Sequence, residues 1–396
     1  MLLTDGEETL NLLTLNCWGI PYISKNRSIR MEAIADKFVI EDYDVVCLQE
    51  IWSVNDFKMI RSRVKERLPY SHYFYSGVVG SGICMFSRFP IQDVMFHKWP
   101  LNGYVHKIHH GDWFGGKGVG LCKIRLQNMS VNVYLAHLHA EYDRDNDEYK
   151  AHRVLQAYDT AQFIRMTMGG ADAVVLGGDL NTEPQDIAYR IIRGIAGLED
   201  ACSTSSNNLG TNECANNSYT SKKLAKEEPN GKRIDHILYL GSKNFKVEVT
   251  TFKHPFPKRV PDRDFSYSDH EAIMASFKLK RGENEIVETD IRESLKEALA
   301  ICKLALKSIK RERIWYSLAS CMLIVPLVLS MGFDYHTNSI GLSIGLNLGR
   351  LFLTAILCYV LFMSTLWNSV EKNSLKAGYL AMELHLMQLN NQLSSK

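Results

Sequence analysis

Residues 172–181 read DAVVLGGDLN, an apolar run of strand length that stops on two glycines, a carboxylate and an amide. Ninety residues after Asp179, the stretch SDHEA (268–272) sets Asp269 and His270 just before another such run, AIMASFKL (272–279). The pattern repeats on either side. Asn16 closes NLLTLN (11–16), Glu50 closes YDVVCLQE (43–50), and Asp235 opens the apolar part of RIDHILYL (233–240). VNVYLAHLHA (131–140) and GICMFSR (82–88) are further strand-length runs, and helix-like stretches fall at 28–41, 53–68 and 146–168. Alternation of this kind predicts a layered α/β domain. Charged groups at strand ends seldom serve a core, so their recurrence marks a catalytic face.

The chain has 396 residues, 46% of them hydrophobic, and a net charge of only +2, so it lacks the basic excess of a nucleic-acid binder. Its nine cysteines are scattered without CxxC spacing, which argues against a disulfide framework or a zinc cluster and for a reducing compartment. The N-terminal MLLTDGEETL carries early acids and no basic lead, so no signal peptide is expected. The polar stretch Cys202–Arg233 and the proline-rich 253–268 read as loops.

Beyond residue 280 the composition changes. IWYSLASCMLIVPLVLSMGF (314–333) has no charge, and LFLTAILCYVLFMSTLW (351–367) is similar, with a weaker apolar lead-in from Ile340. Both are near bilayer-crossing length. Arg350 is tolerable if the second span begins near Gly345 and the guanidinium reaches the far interface. The expected layout is a catalytic domain over 1–280, a juxtamembrane amphipathic helix over 281–313, a transmembrane hairpin over 314–367 (spans 314–333 and 345–367) and a C-terminal cytosolic helix over 368–396. Lys303, Lys307, Lys310, Arg311 and Arg313 precede the hairpin and Lys372 and Lys376 follow it, while the connecting DYHTNS has no Lys or Arg. The positive-inside rule then puts the catalytic domain and both termini in the cytosol. Ile291, Leu295, Ala298, Cys302, Ala305 and Ile309, like Leu375, Tyr379, Met382, Leu386, Leu389 and Leu393, form heptad seams. These pair the two flanks as a stalk or join two chains through 291–309 and 375–393; alternatively the helices lie on the headgroups.

LNCWGI, LQEIW, GGDLN, DHIL and SDHEA, in that order, resemble the exonuclease–endonuclease–phosphatase superfamily over roughly residues 10–278. The resemblance implies a four-layer DNase I-like sandwich, two packed mixed β-sheets flanked by helices. NCWGIPY (16–22), GSGICMFSRFPI (80–91), HHGDWFGGKGVGL (109–121), HLHAEY (137–142) and the hairpin look like its neutral sphingomyelinase branch. That implies Mg2+-dependent, phospholipase C-type cleavage of sphingomyelin to ceramide and phosphocholine, with Mn2+ as an acceptable substitute. The same chemistry on lysophosphatidylcholine or lyso-platelet-activating factor is the alternative, and a membrane-tethered nuclease the second. A phospholipid in a membrane is the expected partner, nucleic acid is not, and the branch implies an intracellular membrane, the endoplasmic reticulum or nuclear envelope.

The resemblance also distributes roles. Glu50 is the metal ligand, supported by the Asn16 amide oxygen. His270 is the general base, its ring oriented by Asp235 or Asp269, with the family pattern favouring Asp235. Asp179 positions the water or joins the metal shell, and Asn181 binds a phosphate oxygen. His137 matches the second catalytic histidine; His139, on the same side if the strand continues, can exchange roles with it. Asp112 and Lys117 match a switching Asp/Lys pair, with Lys117 clamping phosphate. Trp18 and Trp113, with Tyr22 and Tyr142, are the aromatic groups near the motifs that could face a choline.

Overall fold

The computed structural model describes residues 7–107, 110–204, 210–284, 289–332 and 339–394. Contacts divide the chain into two units, 1–294 and 295–396.

In chain order the first unit contains β1 (Glu8–Asn16), α1 (Arg27–Ile40), β2 (Val45–Gln49), α2 (Val54–Val64), β3 (Tyr70–Tyr73), β4 (Cys84–Ser87), β5 (Ile91–Lys98), β6 (Gly118–Leu126), β7 (Met129–His137), α3 (Lys150–Thr167), β8 (Ala173–Asp179), α4 (Ile187–Ala196), β9 (Glu199–Asp200), α5 (Leu224–Glu227), β10 (Asp235–Gly241), β11 (Phe245–Lys253) and β12 (Ile273–Arg281). One sheet has the order β11-β12-β1-β2-β4-β3, the other β5-β6-β7-β8-β10-β9. Only β1–β2 and β7–β8 pair in parallel, so both sheets are mixed.

The two-residue period of a strand explains the layers. On β1, Leu10 and Leu12 join the core between the sheets, with Val45, Cys47, Val133, Val175 and Ile237. Leu13 and Leu15 point the other way, to Met31, Ile34 and Phe38 of α1 and Phe57 and Ile60 of α2. Both faces of β1 are therefore covered, which is why its sequence is a continuous apolar run rather than an alternating one. Helices α3 and α4 pack together, and α3 lies against β6 of the second sheet. The four-layer sandwich is thus helices, sheet, sheet, helices.

The same parity aims the functional side chains. Asn16 shares a face with Leu10 and Leu12, His137 with Val133 and Leu135, Asp179 with Val175, and Asp235 with Ile237 and Tyr239. Each strand therefore carries its polar end into the space between the sheets. Register puts His137 and Asp235 on either side of Asp179. Gly178 makes that spacing tolerable: a Cβ there would lie 2.0 Å from the Ala136 carbonyl oxygen.

In the second unit the expected boundary at residue 313 does not interrupt anything. One helix, α6 (Arg292–Ser330), runs through it, and the juxtamembrane helix starts at Arg292 rather than 281 because β12 continues to Arg281. After Ser339, α7 (Ile340–Phe362), a π-helical turn (Met363–Trp367) and α8 (Asn368–Ser394) follow without a break. The expected hairpin tip, 334–338, and Phe333 lie outside the described residues. Two of these helical stretches are long and apolar enough to cross a membrane, and their apolar side chains, such as Met322, Val325, Leu348 and Phe352, stand exposed. The Asn368 amide donates to the Ile309 carbonyl at 2.8 Å, and Arg350 donates to the Ser330 hydroxyl at 3.1 Å. These contacts pair the helices antiparallel. Leu295, Ala298, Cys302 and Ile309 on one seam and Leu375 and Met382 on the other are buried within a single chain.

Candidate active site

A cavity of about 800 Å³ opens at the carboxyl ends of β1, β2, β7 and β8 and is walled by Glu50, Lys117, His137, Asp179, Asn181 and His270, among others. Glu50 follows β2 with φ 56, a left-handed bend that turns it out of the strand and into the cavity. The Asn16 amide nitrogen bridges two acids, donating to Asp179 Oδ2 at 2.9 Å and to Glu50 Oε1 at 3.2 Å. Its amide oxygen accepts from the Trp18 backbone N–H at 3.0 Å. In this arrangement Asn16 cross-links the two carboxylates.

Asp235 Oδ2 pairs with His270 Nδ1 at 2.8 Å, leaving Nε2 facing Asp179 Oδ2 at 3.9 Å. Asp269 instead accepts from the Ser268 hydroxyl at 3.2 Å, so Asp235 orients the ring. The same hydroxyl reaches back to the Asn16 carbonyl at 2.7 Å, stitching the His270 loop to β1. Burial alone would strip the His270 proton, but Asp235, Asp179 and Asp269 outweigh it and raise its pKa well above the usual value.

His137 and His139 are separated by the end of a strand. β7 stops at His137, whose Nε2 lies 3.5 Å from Asp179 and 4.0 Å from Glu50. Burial, reinforced by Lys117, keeps this imidazole neutral. His139 leaves the ladder. It stacks on Tyr149 at 3.8 Å, Nε2 is 3.4 Å from Asp112, and it is fully buried. The expectation that it shares the His137 face fails because the two-residue period ends with the strand. Lys117 Nζ pairs with Asp112 at 2.9 Å, and Lys117, His139 and Tyr142 hold the Asp112 carboxyl low against the cost of its burial.

The aromatic residues are redistributed. Neither Trp18 nor Trp113 lines the cavity. The Trp18 ring is occupied by Tyr219, 4.8 Å away, and by the Arg30 guanidinium at 5.0 Å. Trp113 packs edge-on to Phe114. Tyr22 points into solvent. Of the expected aromatics Tyr142 does line the cavity, and Trp52 and Phe114 join it in the wall. Arg30 escaped the sequence reading. It is fully buried on α1, within the apolar stripe of Met31, Ile34 and Phe38. It donates to the carbonyls of Cys17, Trp18, Lys25 and Tyr267 and so ties the turn after Asn16 to the loop before Asp269. A charged residue inside an apolar helical stripe was the available signal.

The donor set can be tested for a cation. Asp179, Asp235 and His270 present ligand atoms within 4.8 Å of one another. Glu50 Oε2 and Asp235 Oδ1 are buried with no hydrogen-bond partner. Burial, then Asp269, raises Glu50 to about 7; burial, then Asp235, raises Asp179 to about 6. Crowded, desolvated carboxylates with orphaned oxygens fit a divalent metal ion.

The model of the Endonuclease/Exonuclease/phosphatase family matches residues 13–270. A Drosophila melanogaster protein named putative neutral sphingomyelinase is 40% identical over 432 residues, covering 95% of this chain and 97% of its own length. Mouse (Mus musculus) sphingomyelin phosphodiesterase 2 is 43% identical over 275 residues, 68% of this chain and 65% of the mouse protein. The crystal structure of sphingomyelinase C from Streptomyces griseocarneus shares the fold, with a TM-score of 0.53 at 18% identity, covering 68% of this chain and 99% of that one. With the motif residues converging on one cavity between two sheets, these matches establish that the chain belongs to the endonuclease/exonuclease/phosphatase family.

Proposed function

We propose that the chain is a Mg2+-dependent sphingomyelinase that cleaves sphingomyelin to ceramide and phosphocholine. The observation that carries this reading is that Glu50, Asp179 and His270 wall one cavity, with Asp235 buried behind His270 and ligand atoms of Asp179, Asp235 and His270 within 4.8 Å of one another. The relatives' names support the lipid substrate. Glu50, Asp179 and Asp235 would hold Mg2+, which when bound supplies charge against the phosphoryl oxygens and the departing alkoxide and offsets the carboxylate field around His270.

The remaining work falls to the chain. Asp235 fixes the His270 tautomer with Nδ1–H toward the carboxylate, so a deprotonated Nε2 can take the proton of an attacking water. Water oxygen bonds to phosphorus as His270 removes its proton, the phosphorus–oxygen bond to the ceramide breaks, and the ceramide oxygen takes a proton from solvent, to which His270 returns the one it removed. Neutral His137, its Nε2 3.5 Å from Asp179, donates a hydrogen bond toward the phosphoryl or leaving oxygen. Lys117 and Asn181 line the cavity as further donors to phosphate oxygens. Two apolar helices with basic flanks support an integral protein of an intracellular membrane with its catalytic unit cytosolic. The buried seams within one chain support a helical stalk and need no second copy.

Product analysis tests the reading. Purified full chain with Mg2+ should release phosphocholine from sphingomyelin, and chelation should abolish it. Release from lysophosphatidylcholine alone, or cleavage of abasic DNA alone, would overturn the sphingomyelin assignment.

A further inference from the structure

We propose that two loops at the cavity mouth, 20–23 and 75–79, form an apolar lip that docks on the surface of a phospholipid bilayer; the inference rests on the lipid reading above. Ile20, Pro21, Ile23 and Val79 form part of the cavity wall, so the lip is continuous with the site. On the same loops Tyr22 is 106% exposed, Ile23 70%, Tyr75 70% and Val78 77%. Among the described residues of the catalytic unit, Ile40 and Met166 are the other large apolar side chains exposed to that degree, and neither lines the cavity. Single exposed hydrophobics need no explanation, but a cluster beside a cavity marks an interaction surface.

The lip is braced. Val78 and Val79 backbone N–H groups donate to the Phe114 carbonyl at 3.0 and 3.3 Å, and Gly116 N–H donates to the Gly80 carbonyl at 3.0 Å. Gly77, at φ 57, backs so closely on this neighbour that a Cβ would lie 2.4 Å from Gly116 N. On the other loop the Ile20 N–H bonds the Ser24 hydroxyl at 2.9 Å and the Ser24 N–H returns to the Ile20 carbonyl at 3.0 Å. The apolar tips are therefore held outward by hydrogen-bonded turns that cannot fold them inward.

Charge and position select a lipid surface. Neither loop carries an acidic residue, and the adjoining charge is the exposed Lys25. Uncharged apolar tips enter the boundary between headgroups and acyl chains, and a nearby lysine suits lipid phosphate. The substrate's phosphodiester lies at that same level. A docked lip sets the cavity over it, so the lipid need not leave the bilayer to be cleaved.

The test uses full chain and two forms of one substrate: sphingomyelin in phosphatidylcholine vesicles, and short-chain sphingomyelin dissolved as monomers below its critical micelle concentration. Tyr22 and Val78 do not line the cavity. The double variant Tyr22→Asp/Val78→Asp should lose about tenfold or more of its turnover on vesicles, the equivalent of forfeiting two apolar contacts. It should keep its rate on monomers. Tyr22→Phe/Val78→Ile should restore the vesicle rate. Unchanged vesicle turnover, or equal loss on both forms, overturns the lip. Wild-type chain inert toward both forms overturns the sphingomyelinase reading instead.

Discussion

The two units bury opposite kinds of surface. In the α/β unit the apolar side chains point inward, and a group of buried polar side chains gathers at one end of the strands: Asn16, His137, Asp179, Asp235 and His270. In the helical unit the seams of α6 and α8 are buried, but the apolar stretches carry exposed side chains such as Met322, Val325, Leu348 and Phe352, and the buried Asn368 serves helix pairing. The first is organised against water; the exposed apolar stretches of the second suit an apolar solvent, where side chains gain nothing by leaving the surface. Buried polarity at the strand ends therefore belongs to the site, while buried groups such as Arg30 and Asn368 tie segments together.

His270→Ala should break this assignment most visibly. Loss of the base should lower kcat by about 10²–10⁴-fold, with the thermal midpoint of the catalytic unit little changed. Near-wild-type turnover would return His270 to a packing role.

A matched pair of truncations sharpens the contrast. Leu13→Ala, inside the sheet–helix core, should cost about 2–5 kcal/mol of stability. Leu348→Ala, exposed on α7, should cost well under about 1 kcal/mol in detergent. Equal costs in denaturant titrations would mean that the helical side chains are packed inside a protein.

Glu50→Gln tests the conflict between stability and function. Its folded pKa is raised to about 7 from an ordinary 4.5. The folded state therefore binds the extra proton between those values, and metal-free protein loses stability as pH rises through that window. The neutral amide removes that loss. Metal-free Glu50→Gln should be more stable than wild type at pH 8 by about 1–3 kcal/mol, yet bind Mg2+ weakly and turn over slowly. Parallel stability curves for the two proteins from pH 4 to 8 would refute a strained carboxylate.

Much of this was legible from the chain. Runs such as NLLTLN and AVVLGGD gave their strands, because apolar residues covered on both faces form uninterrupted runs. β5 and β11 were not legible. They are edge strands with largely exposed residues, so no apolar run announces them. The continuity of α6 across residue 313 was hidden for a related reason: composition changes there, while the backbone hydrogen-bonding pattern does not.

By itself the sequence determined which residue types stand at strand ends, that two apolar stretches of bilayer length follow, and the family to which the motifs belong. These follow from local periodicity and composition. Only the tertiary structure decided that the Asp235 carboxylate meets His270 while Asp269 turns to Ser268, that His137 enters the cavity while His139 stacks on Tyr149, that Trp52 and Phe114 stand in the wall in place of Trp18 and Trp113, and that Arg30 joins both motif loops. Each is a choice between near neighbours in the chain, made by where a strand ends and by which partner from a distant segment reaches the group first.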